Sequence, residues 1–259
     1  MIIYFSHLLS DSQMRDIIRQ THMGVESIEF SISDNLDNLS QTLLAYEKRL
    51  DYMECEHLTL HGPFLDLNPM AYDSEIRKVT LRRYNEAYTA AKKLNAKKII
   101  FHSCYLPQIY MTIGLAERIA DFYHEFLDDK DTSIEILAEN VFDSSPESLV
   151  QAAKLISHPA FGLCLDIGHA NCWSDFSPIQ WANDMTPFIR HVHLHNNDGK
   201  SDSHKALDCG SIPAEHLLKQ LDTALPDAKT YTIECRTYED VIRSWSLCQR
   251  ILTKNISFK

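Results

Sequence analysis

Residues 190–204 read RHVHLHNNDGKSDSH, and four of these fifteen positions are histidine. His191, His193 and His195 alternate with Val192 and Leu194, the period of a β-strand, so one face is apolar and the other carries imidazole. Five other short runs end on a residue of the same chemistry. His61 closes HLTLH (57–61), His102 closes KIIFH (98–102), Glu139 closes SIEILAE (133–139), Asp166 closes FGLCLD (161–166) and Glu234 closes YTIE (231–234). The connecting segments DIGH and SDSH add His169, Asp202 and His204. A lone strand histidine is usually a hydrogen-bonded structural residue, and a lone strand-end carboxylate usually caps a helix. Six strand ends in the same phase point instead to one site. Burying Glu139, Asp166, Asp202 and Glu234 together costs on the order of several kcal/mol each unless cations compensate. Histidines and carboxylates without thiolates suit a divalent metal, zinc first and manganese second.

Positioning these side chains requires strands that converge. Two further runs, IIYF (2–5) and VESIEF (25–30), bring the expected strands to eight, each followed by a helical pattern: 11–22, 36–53, 73–94, 113–129, 146–157, 178–187, 213–223 and 238–252. Asp11, Asp73, Ser145 and Ser177 are expected caps, with Pro146 and Pro178 in first turns. Eight strand–helix pairs in a chain of this length predict a single α/β domain over 1–259, a parallel (β/α)8 barrel. An open doubly wound sheet is the alternative, but no glycine-rich phosphate loop follows the first strand, and no nucleotide cofactor is expected. With the apolar strand faces against the helices, the polar faces point into the barrel, and the chemistry falls at its C-terminal mouth.

The totals narrow the partners. Hydrophobic content of 44% and charged content of 24% are those of a soluble globular protein. No apolar run approaches the roughly 20 residues of a membrane span, and MIIYFSHLLSDSQ lacks the pattern of a signal peptide. Seven scattered cysteines with no CxxC pair fit free thiols and a cytoplasmic setting. Lys and Arg number 25 against 36 Asp and Glu, a formal charge of −11, which disfavours nucleic acid and leaves a small molecule as the expected partner; an oligomer is allowed.

The motifs LHGPF (60–64), FHS (101–103), LAEN (137–140), CLDIGHAN (164–171), HVHLHNNDGKSDSH (191–204) and IE (233–234) resemble, in order, those of the xylose-isomerase-like barrel superfamily, which holds sugar isomerases and epimerases and also endonuclease IV. The resemblance implies Glu139, Asp166, His193 and Glu234 as shared metal ligands, with the two glutamates as an acid/base pair. It implies His61, His102, His169, Asp202 and His204 as the extra positions of a three-zinc cluster. Two positions depart from the pattern. Asn196 stands where many relatives have Asp, which leaves His193 and His195 both open as the ligand, and Asp208 stands where many have Gly.

The leading expectation is a metal-dependent isomerase or epimerase of a sugar or sugar phosphate, with a metal-stabilised enediolate and glutamate proton transfer. The alternative is a multinuclear zinc phosphodiesterase acting on a small diester other than DNA; a barrel that only binds a ligand is the third reading. Glu29, at the end of VESIEF, and Lys205 and Arg236 are expected substrate-binding residues. His191 is expected to be structural. Phe64, Tyr105, Phe142 and Trp173, each after a motif strand, are expected to wall the pocket.

Overall fold

In a computed structural model, which describes residues 2–225 and 229–252, eight parallel strands close into a barrel in sequence order. They are β1 (Ile3–Ser6), β2 (Gly24–Ser27), β3 (Leu58–His61), β4 (Lys98–His102), β5 (Glu135–Glu139), β6 (Phe161–Asp166), β7 (Ile189–Leu194) and β8 (Thr230–Ile233). Around them lie α1 (Asp11–Thr21), α2 (Ser33–Asp37), α3 (Leu39–Met53), α4 (Ser74–Lys93), α5 (Leu115–Leu127), α6 (Glu147–Ile156), α7 (Ile167–Trp173), α8 (Pro178–Met185), α9 (Ala214–Ala224) and α10 (Tyr238–Leu252). Closure rules out the doubly wound sheet. Among the described residues, no helix is long and apolar enough to cross a membrane.

The strand phase follows the alternation in the sequence. Leu58, Leu60, Ile99, Phe101, Ile136, Ala138, Leu163, Leu165, Val192, Leu194 and Ile233 all belong to one apolar core between barrel and helices. The residues between them face inward, where the apolar packing is small: Ile100, Leu137 and Cys164 form their own cluster. Below, Tyr4 turns its ring edge toward His191, with ring centres 6.1 Å apart. Above, the inward positions are polar. Pairing sets Asp166 beside His193, His193 beside Thr232, and Glu26 beside Thr59.

Four local expectations need correction. The second strand ends at Ser27, not residue 30, because Ile28 takes an αR conformation (φ −93°, ψ 0°) and Glu29–Ser31 forms a 3-10 turn. The 36–53 helix is instead α2 and α3, parted at Asn38, whose side-chain amide donates to the Asp34 carbonyl at 3.0 Å. Ser10, not Asp11, caps α1 in a reciprocal box with Gln13, and Pro146, not Ser145, is the N-cap position of α6, with no side-chain cap. Helix α7 was not anticipated; at seven residues it is too short for a periodic signal, and Asp166 caps it by accepting from the His169 amide at 2.6 Å. Asp73 and Ser177 cap α4 and α8 as expected.

Gly24 permits the packing under the site. A Cβ there would lie 2.5 Å from Tyr4 Cδ1 and 2.8 Å from the His57 carbonyl oxygen. Gly24→Ala is therefore expected to lower stability by about 1–3 kcal/mol through overpacking, measured as a lower urea midpoint at constant slope; an unchanged midpoint would contradict this packing.

Candidate active site

The inward phase carries six side chains to the C-terminal mouth: His61 on β3, His102 on β4, Glu139 on β5, Asp166 on β6, His193 on β7 and Glu234 just past β8. Helix α7 adds His169, and the loop after β7 adds Asp202 and His204. His61, His102, Glu139, His169, Asp202, His204 and Glu234 all border a cavity of about 550 Å³. Asp166 and His193 lie fully buried beneath it.

The groups sit within a few ångströms of one another. His193 Nδ1 is 3.2 Å from Glu139 Oε1, 3.5 Å from Glu234 Oε1 and 3.8 Å from Asp166 Oδ2. On one side, His61 Nε2 and His102 Nε2 are 3.1 Å apart and lie 3.6 and 3.8 Å from Glu139 Oε2. On the other, Asp202 Oδ2 is 2.9 Å from His204 Nε2 and 3.5 Å from His169 Nε2. Every residue expected as a metal ligand is thus in one constellation.

Three histidines have their ring orientation set from behind. His61 Nδ1 meets the Gly62 carbonyl at 2.9 Å, His169 Nδ1 the Asn140 carbonyl at 3.1 Å, and His204 Nδ1 the Glu234 carbonyl at 2.8 Å. A carbonyl only accepts, so each Nδ1 carries a hydrogen and each ring turns its Nε2 inward, which presents a lone pair whenever the ring is neutral. Both Glu139 carboxylate oxygens, both His193 ring nitrogens and Asp202 Oδ1 are buried with no well-aligned hydrogen bond. Buried atoms of this kind are costly without a partner. Inward lone pairs beside orphaned carboxylate oxygens are a donor set that fits divalent cations.

The electrostatics agree. Burial raises the Glu139 carboxyl, but His193 and His102 outweigh it and hold it well below the usual range. Burial likewise raises Asp166, and His169 and His195 bring it down. Burial lowers His204, yet the Asp202 carboxylate beside it carries it up to about 8. Burial among other imidazoles pushes His102 down to about 3. Without metal, therefore, protons on imidazole supply part of the countercharge.

Sequence reasoning missed Glu26. It is fully buried, accepts from Thr232 Oγ1 at 2.7 Å and Thr59 Oγ1 at 3.2 Å, and places Oε1 3.1 Å from His193 Nε2. Its signal was available: Glu26, not Glu29, shares the inward face of β2. His191 is structural, as expected, with Nδ1 2.6 Å from Thr230 Oγ1 and Nε2 2.8 Å from Thr232 Oγ1. Between the two candidate histidines, His193 Nδ1 is central to the three carboxylates. His195 Nε2 lies 3.1 Å from Asp166 Oδ1, and its ring stacks on His204 at 3.9 Å. Gly168 makes room for it, since a Cβ there would sit 1.9 Å from His195 Cε1.

The substrate-binding expectations separate. Arg236 borders the cavity and is exposed, with no ion pair among the described residues. Glu29 does not border it: its turn points the carboxylate at Arg49 Nη1, 2.7 Å away. Lys205 is exposed and outside the lining, its backbone paired with Asn196. Asn196 faces away from the cluster, donating to the Leu207 carbonyl at 2.7 Å and the Ile212 carbonyl at 3.1 Å and so bracing this loop. Asp208 is exposed and pairs with Arg243 at 3.0 Å. Phe64, Phe142 and Trp173 wall the cavity as expected; Tyr105 is buried outside its lining.

The family model described as xylose isomerase-like TIM barrel matches residues 21–244, and the chain belongs to this family. An uncharacterized protein of Methanocaldococcus jannaschii is 28% identical over 209 residues, 75% of this chain and 70% of the relative. A crystal structure described as a D-tagatose 3-epimerase-like protein is 24% identical with a TM-score of 0.81, covering 98% of this chain and 97% of that one. A Thermus thermophilus protein, from a crystal soaked with ZnCl2, is 22% identical with a TM-score of 0.74 and 98% coverage of both chains. These two structures share the fold.

Zinc is expected to raise the thermal unfolding midpoint, equivalent to about 2.7 kcal/mol at a free concentration 100-fold above Kd. Binding displaces imidazole protons, so affinity measured by competition with a chelator should weaken from pH 8 to pH 6. Glu26→Gln, which removes the charge beneath His193, is expected to weaken zinc affinity by about 10–100-fold. Affinity independent of both pH and Glu26 would contradict this geometry.

Proposed function

We propose that this chain is a divalent-metal enzyme that isomerises or epimerises a sugar or sugar phosphate. The observation that carries the reading is the placement of Glu139 and Glu234, three strands apart, with oxygens 3.2 and 3.5 Å from the same His193 nitrogen. Glu139, Asp166, His193 and Glu234 would hold the ion, zinc first and manganese second. When bound, it would polarise the substrate's carbonyl and hydroxyl oxygens as a Lewis acid.

The chain's own groups supply proton transfer. Epimerisation beside a carbonyl needs one carboxylate to take a proton from one face and another to return it on the opposite face. Glu139 is held ionised by its imidazole neighbours and takes the base role. Glu234 is oriented by Ser6 Oγ, which donates to its Oε1 at 3.0 Å, and borders the cavity. Arg236 is the one Lys or Arg in the described lining, which suits a neutral sugar or a single phosphate. Together with the charge of −11, this disfavours nucleic acid.

A second reading is favoured by the additional donor groups. His61 and His102 with Glu139, and His169, His195 and His204 with Asp202, each bring ligand atoms within 4.8 Å of one another. Three ions there would suit a phosphodiesterase acting on a small diester, in which paired cations hold the two oxygens of an in-line displacement.

Metal content separates the two: one ion per chain in the fully loaded, active protein supports the isomerase, and three zincs with diesterase activity overturn it. For the isomerase, Glu234→Gln and Glu139→Gln should each lower kcat by about 10²–10⁴-fold in a screen of ketoses and their phosphates. Full activity in either variant would remove that glutamate from proton transfer.

A further inference from the structure

A second, apolar cavity of about 290 Å³ adjoins the mouth. Its lining is Leu106, Pro107, Gln108, Ile109, Phe142 and Trp173, with no charged residue among them. Phe142 and Trp173 also border the larger cavity that holds the carboxylates and histidines, so the two spaces share a wall. That wall is built. The two rings meet edge to face, centres 5.4 Å apart and planes at 63°. The chain behind them is tied across, with Ser174 Oγ donating to the Ser144 carbonyl at 2.7 Å and the Asp175 amide donating to the same oxygen at 3.2 Å. Yet Phe142 is 38%, Trp173 41% and Ile109 69% exposed. Contiguous exposed apolar surface of this kind marks a binding site more often than chance.

We propose that this groove is a substrate subsite for an aryl or alkyl substituent carried by the oxygen-rich group that occupies the metal-binding mouth. The inference rests on the reading of that mouth as a metal-dependent substrate pocket, and it narrows the substrate class from a bare sugar to one bearing an apolar substituent. Continuity selects this occupant. A ligand anchored by its oxygens at the carboxylate–histidine cluster leaves the mouth past Phe142 and Trp173, and on that side its next surroundings are aliphatic and aromatic. Sugar hydroxyls placed there would find only the Gln108 side-chain amide and the Trp173 indole N–H among side-chain polar groups of the lining, and the Gln108 oxygen as the one acceptor among them. A lipid surface is a poor occupant, since the charge of −11 opposes the anionic face of a membrane.

Hydroxamates test this without knowledge of the substrate, because they chelate zinc through two oxygens whatever the rest of the molecule carries. Binding of acetohydroxamate and 4-phenylbutanohydroxamate to the zinc-loaded protein is measured by calorimetry. The phenyl compound is expected to bind at least about tenfold more tightly, from the apolar area it buries. Ile109→Asp and Leu106→Asp, at positions that border only the groove, should bring the ratio of the two affinities toward one. Equal affinities for the unaltered protein, or a ratio preserved in both variants, would overturn the subsite while leaving the metal pocket intact. Zinc-dependent binding of neither compound would overturn the metal-pocket reading and the subsite with it. A dimer in sedimentation that Ile109→Asp dissociates would assign the groove to a second copy and also overturn the proposal.

Discussion

The structure depends on the neutralisation of buried negative charge. Glu26, Glu139, Asp166 and Glu234 are buried within one barrel, with Asp202 at its edge. Ionised carboxylates in so little water are tolerated only with cations or well-directed hydrogen bonds close by. Here the chain supplies imidazoles, whose charge is adjustable, in place of fixed guanidinium or ammonium groups. His169 is drawn upward by Asp166, Asp202 and Glu139 against the lowering effect of burial. The same rings offer lone pairs once a metal cation takes over the countercharge, so one set of residues keeps the metal-free barrel foldable and fits it for metal.

The scaffold holds that charge by keeping the site separate from the main core. Most of the apolar packing lies between strands and helices, whereas inside the barrel Ile100, Leu137 and Cys164 form a thin apolar layer below the polar one. The polar layer is braced from outside. Asn140 donates to the Asp166 carbonyl and accepts from the Asp166 amide, both at 2.9 Å, locking the ends of β5 and β6 together. Backbone carbonyls orient His61, His169 and His204. Positions fixed in this way need little reorganisation to receive an ion or substrate, the condition under which electrostatic catalysis is most effective.

Around the cluster the mouth changes character. Its floor is carboxylate and imidazole, its one Lys or Arg in the described lining is Arg236, and its far wall is the Phe142–Trp173 pair. Charged groups on the floor beside low-polarity walls interact more strongly with one another than they would in bulk water. The acidic chain surface favours small, weakly charged ligands over polyanions.

Eight strand–helix pairs determined the barrel, and the alternation of HVHLH and its counterparts determined the strand faces and six inward-converging strand-end residues, because side-chain direction in a strand has a fixed period of two. The sequence also indicated Arg236. Where the chain leaves that period, the sequence is silent: Ile28 turns out of β2, so Glu29 departs toward Arg49, whereas Glu26, still within the period, takes the inward place. Loop direction is equally non-local, and Lys205 is carried outward because its backbone pairs with Asn196. Only the tertiary structure decided that His193, rather than His195, centres on the three carboxylates, since that depends on the stagger of β5, β6, β7 and β8 around a closed barrel. The tautomers of His61, His169 and His204 were decided there too, by carbonyls on neighbouring segments that no spacing along the chain identifies.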